Sequence, residues 1–161
     1  MLIISFDVLA LPSLTSEELG ARQPSPEGRR LWNSLFESYN GRIVVFAAGV
    51  ENQEACLQWL KREGFKASAV DMIADTHLDT KVERIEVLHA LYGKITWYID
   101  VDPHVIAKVS RNGIPTLLVT VPHVVRPEWS EQRVKKGWDA VVQEIESQHL
   151  ARAERTWGDH G

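Results

Sequence analysis

Short apolar runs alternate with amphipathic segments along nearly the whole chain. Five runs are rich in β-branched and aromatic residues and show little polar alternation, which is typical of strands buried on both faces. These predicted strands are Leu2–Phe6, Arg42–Ala48, Phe65–Ile73, Ile95–Asp100 and Ile114–Val121. The predicted helices between and after them are Gly28–Tyr39, Glu51–Glu63, Thr80–Tyr92, Pro103–Arg111 and Ser130–Leu150.

Strands that alternate with helices in this way indicate an α/β fold with right-handed crossovers. We expect a three-layer, Rossmann-like, doubly wound sheet of five mostly parallel strands, followed by a C-terminal helix. At 161 residues the chain has the size of one domain, and no repeat, linker or low-complexity tract divides it. The domain is predicted over residues 1–150, with a frayed tail over residues 151–161.

The composition and charge of the chain argue against several classes of protein. The net charge of -4 and the absence of a basic cluster argue against nucleic-acid binding. A single cysteine, Cys56, excludes an internal disulfide and fits a reducing compartment. No apolar run reaches the ~18 residues of a membrane span, and the N-terminus has no basic segment typical of a signal peptide. We therefore expect a cytoplasmic protein that contacts neither membranes nor nucleic acid.

Two of the predicted buried strands end in carboxylates. Asp7 follows the first strand, while Asp100 ends the fourth and Asp102 comes two residues later. A doubly wound sheet binds ligands outside the carboxyl ends of its strands, so both ends are candidate sites. If these strands are neighbours, the acids converge and need a cation or a shared proton. Such oxygen ligands suit Mg²⁺ together with a phosphorylated substrate, and Lys81, which begins a helix at the same edge, could neutralise a phosphoryl group.

The order and spacing of these segments resemble the haloacid dehalogenase superfamily, a group of phosphatases that use an aspartate nucleophile. The matching segments are FDVLAL after strand one, VVFAAG after strand two, Lys81 at a helix start, and YIDVDP at the end of strand four. The resemblance spans about residues 1–121 and implies the strand order 3-2-1-4-5. It also implies a nucleophile at Asp7, a charge-stabilising lysine at Lys81, and Mg²⁺ bound by Asp7 with Asp100 or Asp102.

Three positions depart from the family pattern. Leu9 stands where the family usually has an aspartate that acts as general acid and base. The loss of a general acid lowers the rate of the catalysed reaction by roughly 10²–10⁴-fold. Ala47 and Ala48 stand where a hydroxyl normally binds the phosphoryl oxygen. There is no inserted cap domain, so only the predicted loop Val8–Glu27 could cover the site.

Two hypotheses follow for the function. One is a Mg²⁺-dependent phosphohydrolase of reduced activity acting on a small phosphorylated substrate. The other is an inactive descendant that binds a protein partner through its surface, including the Val8–Glu27 loop and the segment PHVVRPEW. The small, undecorated chain also resembles accessory proteins of bacteriophages.

Other residues at the same edge have a structural interpretation beside the functional one. Gly49 could present backbone N–H groups to a phosphate, or could simply turn the chain from strand to helix. His123 and Arg126 follow the fifth strand and could contact the substrate. Asp102 precedes Pro103 and could therefore be only a helix N-cap. The six histidines show no spacing typical of metal ligands.

Overall fold

The computed structural model describes residues 1–12, 22–120, 139–148 and 150–151. The strands are β1 (Leu2–Ser5), β2 (Ile43–Ala48), β3 (Ala69–Ile73), β4 (Tyr98–Asp100) and β5 (Thr116–Leu118). The helices are α1 (Phe6–Leu9), α2 (Pro26–Ser38), α3 (Gln53–Arg62), α4 (Leu78–Leu91) and α5 (Pro103–Arg111). Residues 139–148 and 150–151 belong to a C-terminal helix. No described helix is long and apolar enough to cross a membrane.

The five strands form one parallel sheet in the order β3-β2-β1-β4-β5, which confirms the predicted fold class and strand order. The central strand β1 pairs with β2 on one side and with β4 on the other. Ile4, for example, lies opposite Val45 of β2 and Ile99 of β4. The carboxyl ends of β1 and β4 are therefore neighbours, and the order of the strands reverses between them.

Side chains of β1 enter two different apolar layers, as the two-residue period of a strand requires. Ile4 belongs to a cluster with Trp32 of α2 and Trp59 of α3. Ile3 belongs to a second cluster with Ile85 of α4 and Val105 of α5. Helices thus cover both faces of the sheet, which explains why its central strands are apolar without alternation.

The first strand is shorter than predicted, because β1 ends at Ser5 and the helix α1 begins at once. The Ser5 hydroxyl accepts a hydrogen bond from the backbone N–H of Asp7 at 3.3 Å, as an N-cap residue does. Asp7 therefore lies in the first turn of α1 and not in an open loop. A four-residue helix is too short to give a periodic apolar pattern, so sequence could not predict it.

The predicted loop Val8–Glu27 is ordered at both of its described ends. Ala10 pairs with Pro24 in an isolated antiparallel bridge, and Ser25 N–H donates to the Leu9 carbonyl at 2.7 Å. Gly28 then brings α2 against α1, since a Cβ at this glycine would lie 2.1 Å from the Val8 carbonyl oxygen. The middle of the predicted loop, residues 13–21, lies outside the described residues.

Several further boundaries differ from prediction. The third strand begins at Ala69 instead of Phe65, and the fifth is Thr116–Leu118 instead of Ile114–Val121. The fourth strand is limited to Tyr98–Asp100, and the preceding Trp97 is 39% exposed instead of buried. Helix α4 begins at Leu78 with His77 as its N-cap residue, two residues before the predicted start at Thr80. The Thr80 hydroxyl donates to Asp75 Oδ2 at 2.8 Å.

Three predictions concern residues outside the described part of the chain. They are the substrate contacts of His123 and Arg126, the first half of the C-terminal helix, and the tail beyond residue 151. Residues 139–148 of that helix are helical, as predicted.

Candidate functional site

Four of the predicted site residues lie together at the carboxyl edge of β1 and β4. Asp7 is in the turn of α1 that follows β1, and Asp100 is the last residue of β4. Asp102 is the N-cap of α5, and the Nζ of Lys81 in the first turn of α4 lies 3.9 Å from Asp102 Oδ2. The sheet order brings these residues together from three separate parts of the sequence.

Asp7 is half-exposed and forms an ion pair with an arginine that the sequence did not single out. Both terminal nitrogens of Arg22 lie 3.3 Å from Asp7 Oδ1. The Asp7 side chain is 54% exposed, whereas that of Arg22 is only 15% exposed. Arg22 falls inside the predicted loop, where no periodicity relates it to Asp7, so no sequence signal could have identified this contact.

Asp100 has the opposite environment and is almost completely buried, at 4% exposure. The Tyr98 hydroxyl donates to its Oδ2 at 2.5 Å, and the backbone N–H groups of Val101 and Asp102 donate to Oδ1 at 2.7 and 3.2 Å. Burial raises the pKa of Asp100 to about 6; the Tyr98 hydrogen bond lowers it, and the charge of Asp7 raises it.

Tyr98 is a member of this site that the sequence analysis missed. It is fully buried, and burial followed by the charge of Asp100 raises its pKa well above the usual range. Its hydroxyl therefore stays protonated and remains a donor to the carboxylate. A signal was present, because residues two apart on a strand point to the same face, and Tyr98 and Asp100 are so spaced.

Asp102 combines the two roles that the sequence left open. Its Oδ1 accepts the backbone N–H of His104 at 2.9 Å, which is the expected N-cap bond. Its Oδ2 faces the Lys81 ammonium group, and the two side chains are 35% and 20% exposed. Asp102 therefore caps α5 while it holds a cation at the mouth of the site.

The departures from the family pattern lie in the core. Leu9 and Ala47 are buried in the apolar cluster beneath α2 and α3, so neither position offers a polar group to a ligand. Gly49 follows β2 with a φ of 71°, but α3 begins only at Gln53 and is capped by the Asn52 side chain. Gly49 thus makes the turn out of β2, and its predicted phosphate contact has no helix N-terminus directly behind it.

The carboxylates at this edge meet part of what Mg²⁺ requires of its ligands. Among the described residues, no three His, Cys, Asp or Glu side chains are grouped closely enough to hold a metal ion. In phosphoryl-transfer sites, however, Mg²⁺ commonly takes one or two carboxylates and completes its shell with water and substrate oxygens. The partly exposed carboxylates of Asp7 and Asp102 fit that use. Asp100 fits it less well, because both of its oxygens already accept hydrogen bonds.

A shallow cleft of about 350 Å³ lies beside these residues, between α4, α5 and the C-terminal helix. Leu78 and His104, from the first turns of α4 and α5, line the end nearest the carboxylates. Lys108 and Arg111 also line it, and each is already paired, with Asp79 at 2.6 Å and Glu144 at 3.0 Å.

Comparison with known protein families and with characterised proteins finds no match to this chain. The strand order of the sheet is the one that the haloacid dehalogenase resemblance implies. Doubly wound sheets serve many functions, however, so the order of the strands does not assign one. The function therefore depends on the side chains at the edge of the sheet.

Proposed function

We propose that this protein is a haloacid-dehalogenase-like phosphohydrolase of low activity, which hydrolyses a small phosphomonoester through Asp7. The observation that carries the proposal is the meeting of Asp7, Lys81 and Asp102 at one edge of the sheet. Asp7 is exposed enough to reach a ligand, and the ammonium group of Lys81 lies at the same edge, 3.9 Å from Asp102 Oδ2. The acidic chain is expected to act on small molecules in the cytoplasm and not on nucleic acid.

The proposed reaction has two steps. An oxygen of the Asp7 carboxylate attacks phosphorus, the P–O ester bond breaks, and its electron pair leaves with the alkoxide. Because the Leu9 side chain has no acidic proton to donate, the alkoxide takes its proton from water. A water molecule then attacks phosphorus and gives a proton to the hydroxide formed in the first step, the bond to Asp7 breaks, inorganic phosphate is released and the free carboxylate is restored.

Two kinds of positive charge support this reaction. Lys81 places its ammonium group where negative charge collects on the phosphoryl oxygens. When bound, Mg²⁺ held by Asp7 and Asp102 would supply further neutralisation of the same oxygens. Asp100 and Tyr98 contribute from behind, because their hydrogen bonds hold the carboxyl end of β4 and so the start of α5.

Because the general acid is missing, the rate of hydrolysis should depend strongly on the leaving group. Aryl phosphates release a stable phenolate and need little protonation, whereas alkyl phosphates release a basic alkoxide that needs a proton donor. We expect p-nitrophenyl phosphate to be hydrolysed and alkyl phosphates to react roughly 10²–10⁴-fold more slowly, the contribution of a general acid.

The test is turnover of p-nitrophenyl phosphate with Mg²⁺ by wild type, Asp7→Asn and Asp79→Asn. Asp79→Asn is the matched control, because it makes the same chemical change at an exposed acid bound to Lys108. Asp7→Asn should abolish turnover while Asp79→Asn retains it. Unchanged turnover in Asp7→Asn would rule out the mechanism.

A second candidate function is favoured by the ion pair between Arg22 and Asp7 and by the burial of Leu9. Here the protein keeps the sheet but binds a protein partner instead of reacting. Wild type would then hydrolyse no aryl phosphate at millimolar Mg²⁺. Asp7→Asn would leave its biological function intact, whereas changes in residues 8–27 or 122–129 would destroy it.

A further inference from the structure

The guanidinium group of Arg22 is fastened to the protein at three acceptors. Its Nε donates to the Leu11 carbonyl at 2.9 Å, and Nη2 donates to the Ala10 carbonyl at 3.0 Å. Nη1 and Nη2 each reach Asp7 Oδ1 at the longer distance of 3.3 Å. The two carbonyl bonds belong to the chain just after α1, so Arg22 is built into the same turn that positions Asp7.

A second set of contacts holds Arg22 from its other sides. The guanidinium carbon lies 5.2 Å from the centre of the Phe6 ring, a cation–π distance. The Arg22 carbonyl accepts the indole N–H of Trp59 at 2.9 Å, and Trp59 in turn contacts Phe6 edge-on. Arg22 is therefore held by its backbone and its side chain, which explains its low exposure despite its charge.

The donor count argues against Arg22 as a phosphate receptor. A guanidinium group has five N–H donors. Four are used here, one on Nε, one on Nη1 and two on Nη2. One remaining N–H cannot form the two parallel bonds by which arginine grips a phosphate. In this arrangement Arg22 serves Asp7 as a fixed positive counter-charge.

The two members of the ion pair are not equally held. Asp7 contributes a half-exposed carboxylate, and a pair of that exposure is weak and easily exchanged. Arg22 would have to leave two carbonyl groups and a ring face in order to move. A cation that approaches the edge of the sheet therefore competes with the guanidinium group of Arg22, which is held in place, for the half-exposed carboxylate of Asp7.

We propose that Arg22 is a built-in counter-ion that competes with Mg²⁺ for Asp7 and so weakens metal binding at this edge of the sheet. The proposal concerns the carboxylate on which the proposed function rests, but it is measured as binding and needs no turnover. It predicts that removal of the Arg22 charge strengthens Mg²⁺ binding roughly two- to fivefold, the size expected when one weak competing ion pair is lost.

The test is calorimetric titration with Mg²⁺ alone on wild type, Arg22→Gln, Arg22→Lys and the double variant Arg22→Gln with Asp7→Asn. Glutamine can still donate to one of the carbonyl groups, whereas lysine keeps the charge. Arg22→Gln should bind Mg²⁺ more tightly, Arg22→Lys should resemble wild type, and the double variant should lose the gain. The proposal is overturned if Arg22→Gln binds no more tightly, or if its gain survives the loss of Asp7.

A measurement on wild type covers the case in which Arg22→Gln does not fold. Nuclear magnetic resonance can follow the Asp7 carboxyl carbon and the Arg22 Nε–H during the Mg²⁺ titration. The Asp7 signal should shift while the Arg22 Nε–H, which stays on Leu11, keeps its protection from exchange. Loss of that protection, or an unmoved Asp7 signal at saturating Mg²⁺, contradicts the proposal. Tight binding by Arg22→Gln without phosphatase activity would instead refute only the proposed function.

Discussion

Asp7 and Asp100 are the same residue type at the carboxyl ends of two adjacent parallel strands, and the fold treats them in opposite ways. Asp7 is half in solvent and faces a cation, Arg22. Asp100 is buried and is held by one hydroxyl and two backbone N–H groups. The contrast shows that one acid of the pair is open to solvent, whereas the other serves the local structure of the strand end.

The charge of Asp7 also affects the pKa of Asp100. The charge on Asp7 adds to the burial effect that raises the pKa of Asp100. Burial and a neighbouring negative charge both favour the protonated form of the Asp100 carboxyl group. Substitutions at three positions test this contrast, and their expected effects on stability decrease in the order Leu9, Asp100 and Tyr98.

The largest effect is expected at Leu9, which the family pattern would replace with an acid. Leu9 lies in the same turn as Asp7 but is fully buried in the apolar core. Leu9→Asp should lower the free energy of unfolding by about 3–5 kcal/mol, because it buries an unpaired charge. Urea unfolding measures this, with Leu9→Met as a control of similar volume that should cost less than about 1.5 kcal/mol. A fully stable Leu9→Asp with increased phosphatase activity would show that this position does reach the site.

The next effect is the pH dependence that Asp100 gives to stability. Its pKa in the folded protein is raised from 3.8 to about 6, so the folded state binds this proton more tightly than the unfolded state. Stability should therefore fall as the pH rises from about 4 to 6, by about 3 kcal/mol from this group. Asp100→Asn should remove that contribution. The wild-type minus variant difference in unfolding free energy, measured with a chelator present, isolates it from the other acids. Equal pH profiles would contradict the burial of a titrating carboxyl group here.

The smallest of the three effects is expected at Tyr98. Tyr98→Phe removes the hydroxyl that donates to Asp100, so a buried carboxylate oxygen loses its partner. The free energy of unfolding at pH 8 should fall by about 1–3 kcal/mol, and by less at pH 4, where Asp100 is protonated. Tyr92→Phe, at a partly exposed tyrosine at the end of α4, is the control. A loss of the same size at both pH values would mean that Tyr98 does not act through the charge of Asp100.

The sequence predicts most of the fold because the fold depends on apolar patterns. The central strands of a parallel sheet are buried on both faces, and β2, for example, appears as an uninterrupted apolar run. The lateral order of the strands came from the family resemblance and is the order observed. Short-range hydrogen bonding was harder to predict. Asp75, in the loop before α4, accepts hydrogen bonds from the backbone N–H of His77 and the hydroxyl of Thr80, and no apolar pattern indicates these contacts.

At the candidate site, sequence could place the acids but not their surroundings. The sequence indicates Asp7 and Asp100 because each comes at the end of a predicted strand. It indicates Lys81 because this residue comes at the start of a predicted helix. The contact of Arg22 depends on a bridge between Ala10 and Pro24 that brings distant parts of the chain together, and no local pattern encodes such a bridge. The exposure of Asp7 and the burial of Asp100 arise from the same tertiary contacts. The roles of these residues in catalysis stay predictions until turnover is measured.

Gly28 touches no part of the candidate site, yet it decides how closely two helices approach. With hydrogen as its side chain, α2 rests directly on the backbone of Val8 and Leu9. Any larger residue would push α1 away and carry Asp7 with it. In a deep mutational scan scored only for folded protein, position 28 should therefore tolerate fewer amino acids than position 7. A second scan scored for activity would reverse that ranking only if Asp7 is the reacting group.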